Sequence, residues 1–214
     1  MNPRELRFER VPVGDLPALG TLTDVERLFL SRTPITDLAP LAKLTQLRVL
    51  GLRLTRVSDV TPLAALVELR SLILSFTPVA DISPLASLRR LESLYLTGCP
   101  VSELSPVAGL KGLARLDLGG TDVTNLAPLA GLQNLESLQL SSTRITDLAP
   151  LQHLSRLRVL ELGDTKVSDL TPLLNLTSLQ RLDVRGARNA DVGPLTALSN
   201  CEIVSAATFR RSRR

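Results

Sequence analysis

The sequence predicts a solenoid of the α/β class, in which coils stack on one another, a curved parallel sheet lines the inner face and short 3-10 turns line the outer face. Three observations carry this. First, Leu44, Leu47, Leu50 and Leu52 form a phrase that returns 22 residues later at Leu66, Leu69, Leu72 and Leu74. It returns again from Leu88, Leu110, Leu132, Leu154 and Leu176, with Val184 replacing one leucine, and Leu22, Val25, Leu28 and Leu30 fit one step earlier. Second, these eight copies follow one another without an insertion. Third, Pro40, Pro62, Pro84, Pro106, Pro128, Pro150, Pro172 and Pro194 form an unbroken column. A fixed period in the twenties means stacked units, none of which buries its apolar face alone.

Each element follows from its residues. Residues 1–21 read as a degenerate capping repeat: Leu6, Phe8, Val11, Val13, Asp15, Leu16 and Leu19 keep the register of later coils, and Arg4, Glu5, Arg7, Glu9 and Arg10 keep that end wet. Residues 22–197 hold the eight full repeats. In each, leucines at alternating positions, as at Leu50 and Leu52, predict a short strand with one buried face. A tight turn follows at a column of Thr33, Thr55, Thr77, Thr121, Thr143 and Thr165, with Cys99 in the gap. Asp37, Asp59, Asp81, Asp147 and Asp169, with Glu103 and Asn125 as variants, come next. The Asp37 carboxylate is expected to accept the N–H of Ala39 and so cap a turn over Leu38–Leu41, where Pro40 has no N–H to satisfy. Such a turn is 3-10, because the repeat leaves little room for a full α-helix. Residues 198–209 form a partial repeat in which Leu198, Cys201, Val204 and Ala206 continue the inward pattern and Phe209 folds back as a plug. Residues 210–214 are a basic tail. An open last strand edge invites pairing, so a homodimer through the C-terminal edge is an expectation.

These columns resemble the leucine-rich repeat family, in its short 22-residue bacterial class of internalin-like proteins, over roughly residues 4–209. The resemblance implies a right-handed solenoid that acts as a scaffold for protein–protein interaction. One departure is visible: the column where the family carries an asparagine ladder is mainly threonine here. A hydroxyl serves a tight turn through nearby backbone groups but bonds more weakly than an amide.

Composition narrows the function. The chain has 214 residues, 44% of them hydrophobic but only 2% aromatic, so its core is aliphatic. The unbroken register argues for a single domain over 1–209. No apolar run is long enough to span a membrane, and MNPRELRFERVP has no signal-peptide core, so a cytoplasmic protein is expected. The excess of arginine over lysine, with abundant Ala and Leu, suggests a GC-rich bacterial genome. The basic pI of about 9.7 comes from the tail: of 25 basic residues, Arg210, Arg211, Arg213 and Arg214 are four, leaving 21 against 21 acidic. Nucleic-acid or membrane binding is therefore expected only through those four arginines. Cys99 and Cys201 lie between four and five coils apart, on the order of 20 Å at ~4.8 Å per strand, too far for a disulfide, and both are expected to be buried thiols.

Nothing points to catalysis. His153, the single histidine, falls in a variable outer column. Asp117, Glu161 and Asp183 share a column but sit ~10–15 Å apart, too far for a paired-carboxylate mechanism. Neither a metal-ligand cluster nor a cofactor motif is present. Function is therefore expected on the inner face, where the residues between core leucines vary. The candidate partner-binding residues are Phe29, Val49, Arg53, Ile73, Tyr95, Arg115, Asp117, Gln139, Glu161, Arg181, Asp183 and Arg185. They are polarised, apolar in the N-terminal half and charged in the C-terminal half, and aromatics beside arginines are the residue types that dominate protein contacts. Gly51, Gly119 and Gly163 are expected to leave room for a partner. The reading is a non-catalytic module that grips a protein partner on its concave face. The alternative is the recognition or sensor portion of a larger signalling, immune or effector protein whose catalytic part is absent.

Overall fold

The computed structural model describes residues 4–8, 21–187 and 190–205. Ten three-residue strands succeed one another: β1 (Glu5–Arg7), β2 (Arg27–Phe29), β3 (Val49–Gly51), β4 (Ser71–Ile73), β5 (Ser93–Tyr95), β6 (Arg115–Asp117), β7 (Ser137–Gln139), β8 (Val159–Glu161), β9 (Arg181–Asp183) and β10 (Glu202–Val204). Each pairs in parallel with the next, giving one curved sheet whose spatial order is the sequence order. Between strands run the 3-10 turns, the first at Ala39–Lys43 and the last of those described at Gly193–Ala197. The architecture is the right-handed solenoid expected, with the sheet on the concave face and the turns on the convex face.

The leucine phrase explains the core. Leu28, Leu50, Leu72, Leu94, Leu116, Leu138, Leu160 and Leu182 are register partners from β2 to β9, and all are buried. Leu41, Leu63, Leu85, Val107, Leu129, Leu151, Leu173 and Leu195 close the opposite wall from inside the 3-10 turns. The result is one continuous apolar column from Val25 to Leu195. Every buried methylene in it contributes about 0.8 kcal/mol, and each coil contributes only when its neighbours cover it.

The polar columns hold the bends. Thr33, Thr55, Thr77, Thr121, Thr143 and Thr165 are buried, and each hydroxyl donates to the carbonyl three residues back, at 2.6–2.8 Å. The threonines therefore close their own coils. Cys99 differs, since its thiol donates to Leu74 O of the preceding coil at 3.1 Å. The acidic column caps as expected: Ala39 N–H donates to Asp37 Oδ1 at 2.8 Å, and the same bond recurs at Asp59, Asp81, Glu103, Asn125, Asp147, Asp169 and Asp191 at 2.8–2.9 Å. The turn it precedes begins at Ala39 and runs to Lys43, one residue later at its start than expected. The carboxyls of Asp59 and Asp169 are held below their ordinary values first by the side chains of Thr61 and Thr171 and then by these backbone bonds, and those of Asp81 and Glu103 first by the backbone N–H groups of Ser83 and Ser105.

Two expectations at the C-terminal end need correction. Glu202 pairs with Arg181, Ile203 with Leu182 and Val204 with Asp183, a step of 21 rather than 22 residues. The coil is shortened by one residue just before β10, because only one residue, Glu202, separates Cys201 from inward-facing Ile203, where two separate Leu179 from Leu182. A one-residue slip moves every strand side chain to the other face. Ile203, not Val204, thus packs against the core. Cys201 is half-buried rather than buried, and burial pushes its thiol pKa up; both cysteines are free. Phe209, Ala206 and the four tail arginines lie outside the described residues, as do Val11, Val13, Asp15, Leu16 and Leu19.

Candidate partner-binding surface

Strand alternation sends the residues flanking the buried leucines out onto the concave face. The middle column runs Arg7, Phe29, Gly51, Ile73, Tyr95, Asp117, Gln139, Glu161 and Asp183 as successive register partners. Phe29, Ile73, Tyr95, Asp117, Gln139 and Glu161 are all half-buried, so each presents part of its side chain. In the column before it, Val49 is half-buried and Arg115 exposed, while Arg181 donates to Glu202 at 3.0 Å. Arg53 and Arg185 are exposed in the column after it.

The surface is less open than the sequence suggests. The Arg7 guanidinium sits 4.3 Å from the Phe29 ring centroid, and the ring leans over the next coil, where a Cβ at Gly51 would come within 2.8 Å of Phe29 Cδ1. Gly51 is a seat for Phe29 rather than a gap for a partner. Gly119 and Gly163 are likewise buried; a Cβ at the first would meet Asp117 Oδ1 at 3.4 Å, an ordinary contact, and a Cβ at the second would come within 3.3 Å of both Arg185 O and Ser141 Oγ. The expectation that the three glycines leave room for an incoming chain fails at Gly51, where the Phe29 ring of the same chain already fills the space, and Gly163 is tightly flanked.

Asp183 also differs from its column mates, being only 4% exposed. Its Oδ1 accepts the Arg185 N–H at 3.0 Å, and the Arg185 guanidinium clamps both carboxylate oxygens, with Nη2 at 2.5 Å from Oδ2. Burial alone would raise the Asp183 pKa, but the Arg185 bonds outweigh it and hold the carboxyl below its ordinary value. What this coil presents outward is Arg185, with its side chain 56% exposed. Beside it Ser141, Glu161, Gly163, Asp164 and Gly186 line a hollow of about 350 Å³.

The structure adds residues that the strand columns miss. Just beyond the strand end, each of eight coils places one residue at a left-handed backbone: Arg32, Leu54, Phe76, Gly98, Gly120, Ser142, Asp164 and Gly186, with φ between 55° and 80°. This row forms a rim along one edge of the concave face. Leu54 and Phe76 stand out there at 40% and 45% exposure. The Arg53 guanidinium lies 5.0 Å from the Phe76 centroid, and the ring covers Gly98, whose Cβ would meet Phe76 Cδ1 at 2.7 Å. The signal in the sequence was the mixture itself, with leucine and phenylalanine in a column that is otherwise glycine or polar.

His153 is exposed, as expected. Among the described residues no group of three His, Cys, Asp or Glu side chains could hold a metal ion, and no helix is long and apolar enough to cross a membrane.

Comparison with known proteins fits this geometry. Residues 67–109 and 111–153 each match the family described as Leucine Rich repeats (2 copies). Among solved structures, internalin C2 of Listeria monocytogenes is 33% identical with a TM-score of 0.78, over 84% of this chain and 79% of that one. The internalin inlF of the same organism is 28% identical with a TM-score of 0.76, over 93% of this chain and 72% of that one. The functional domain of InlJ, also from Listeria monocytogenes, shares the fold at 18% identity and a TM-score of 0.71, over 94% of this chain and 50% of that one. No curated protein matches the chain.

Proposed function

The chain belongs to the leucine-rich repeat family, in its internalin-like bacterial class, and from that premise we propose that it is a binding module whose concave face grips a protein partner. Members of the family are in general interaction modules rather than enzymes, and the stacked coils provide an extended concave surface for that purpose. One observation carries the reading for this chain. Where the core columns repeat with hardly a change, the outward columns change systematically: Phe29, Ile73 and Tyr95 in the first half, then Asp117, Gln139 and Glu161, with Arg115, Arg181 and Arg185 alongside. Packing does not demand that gradient. Half-exposed aromatic and aliphatic groups flanked by arginines are what protein interfaces enrich.

The test is affinity capture from native bacterial lysate with the wild-type chain and with Ile73→Ser/Tyr95→Ser. Phe29 is left alone because it packs on Gly51 and under Arg7. The expected result is a captured protein that the double variant retains at least about tenfold less, in line with loss of an interface hot spot. Equal retention by both proteins would sink the concave-face assignment.

A further inference from the structure

Building on the protein-binding reading, we propose that the partner is anchored at the left-handed rim, on Leu54 and Phe76, and that the segment which docks there is an apolar stretch of protein flanked by carboxylates. The repeats act as each other's controls. Eight coils share the same left-handed position, and three of them fill it with Gly98, Gly120 and Gly186, so the fold needs no side chain there. Leu54 at φ 58° and Phe76 at φ 60° take a backbone that L-residues disfavour, and they do so while remaining 40% and 45% exposed. Exposed apolar area in two adjacent coils ~4.8 Å apart, at a position where the other six coils carry glycine or a polar residue, is something the fold itself does not require.

The site is also set in advance. Gly98 lets the Phe76 ring lie flat across the next coil, and Arg53 stacks over it at 5.0 Å. A ring already held in place loses little freedom on binding. Charge selects the occupant. From the strand ends through the turns, residues 29–33, 51–55, 73–77 and 95–99 contain no carboxylate, but they contain Arg32 and Arg53, both exposed and neither in an ion pair among the described residues. The corresponding parts of the later coils carry Asp117, Glu161 and Asp164 facing out, while the carboxylate of Asp183 is buried and clamped by Arg185. A segment bearing Asp or Glu beside its apolar side chain is drawn to the first group of coils and repelled by the second, which fixes its place along the solenoid.

The probe is a random linear peptide library selected on the whole chain, followed by synthesis of the enriched peptides. They are titrated against wild type, Leu54→Gly/Phe76→Gly, and Ile73→Ser/Tyr95→Ser. Glycine is what this chain itself uses at the rim, so the first variant keeps its fold, checked by a single cooperative melting transition well above the assay temperature. The expected peptides carry an aromatic or aliphatic residue close to Asp or Glu, bind about tenfold or more weakly to the rim variant, and lose affinity in high salt. Peptides enriched without carboxylates, or no enrichment, would overturn the proposal. Binding that survives in the rim variant but falls in the sheet variant overturns the rim and leaves the concave-face reading standing. Binding that survives in both removes the two together. Two further results would assign the rim to another occupant and overturn the proposal. One is pelleting of the wild type, but not the rim variant, with phosphatidylserine-containing vesicles. The other is a dimer in light scattering that the rim variant abolishes.

Discussion

Leu94→Ala is the most direct probe of how this solenoid holds together. Leu94 lies at the centre of β5, fully buried, with Leu72 and Leu116 as its register partners on either side. The substitution removes three carbons, about 2.4 kcal/mol of transfer free energy at about 0.8 kcal/mol each. Two neighbouring coils hold the walls apart, so the space closes only in part, and each residual Å³ adds about 24 cal/mol. The expected loss is about 2–5 kcal/mol, or about 4–20 °C in melting temperature for a chain of this length. Leu54→Ala removes the same three carbons from a side chain that is 40% exposed. No cavity forms at a surface, so its loss stays at or below about 1.5 kcal/mol. Thermal melts of the two variants, followed by circular dichroism, measure the difference. Equal shifts in the two would mean that the strand register, and with it the division of columns into buried and presented, is wrong.

Other consequences can be measured on the same material. Thr143→Val deletes a hydroxyl that donates to Leu140 O at 2.6 Å, and should cost about 1 kcal/mol in urea unfolding; an unchanged midpoint would remove the hydroxyl from the account of the turn. The capping carboxyls of Asp59, Asp81, Glu103 and Asp169 titrate below their unfolded values. Their contribution is therefore complete above the unfolded values of about 4 and is lost as the pH falls through the folded ones, so the melting temperature should stay level from about pH 7 to about pH 5 and drop below about pH 4. A melting temperature that rises on acidification would contradict this sign. Arg185→Ala leaves the buried Asp183 carboxylate with one backbone donor and removes the side-chain bonds that hold its pKa down. Its melting temperature should then fall further behind wild type at about pH 7 than at about pH 3, and a constant gap would show that the clamp does not govern Asp183.

The sequence made the strands and bends legible for a physical reason. Residues such as Leu50, Thr55, Asp59 and Pro62 each meet a constraint that stacking repeats in every coil, so their spacing reports it directly. The shortened last coil was not legible that way. Val204 and Ala206 fit the inward pattern as well as Ile203 and Ser205 fit the outward one, and only the backbone pairing decides between the two registers. The glycine seats were hidden because a sequence shows that Gly51 and Gly98 lack side chains, but not that Phe29 and Phe76 turn toward them. The rim was missed because in-and-out alternation applies only within the strand. The strands end at Gly51 and Ile73, three residues short of the left-handed backbone at Leu54 and Phe76.

The threonine bonds have a bearing on how such a chain can change. Because each hydroxyl closes its own coil, no bend from Thr121 to Thr165 borrows its side-chain bond from the coil before it. A block running from one leucine to its counterpart 22 residues on can therefore be removed or duplicated with the bends on both sides left whole. Cys99 is the exception, since its thiol reaches back to Leu74, so the coils on either side of that contact are the ones that do not separate freely. Length in this molecule is adjustable in whole coils, and each coil gained or lost between them slides the Leu54 and Phe76 pair and the acidic end nearer together or further apart without altering either.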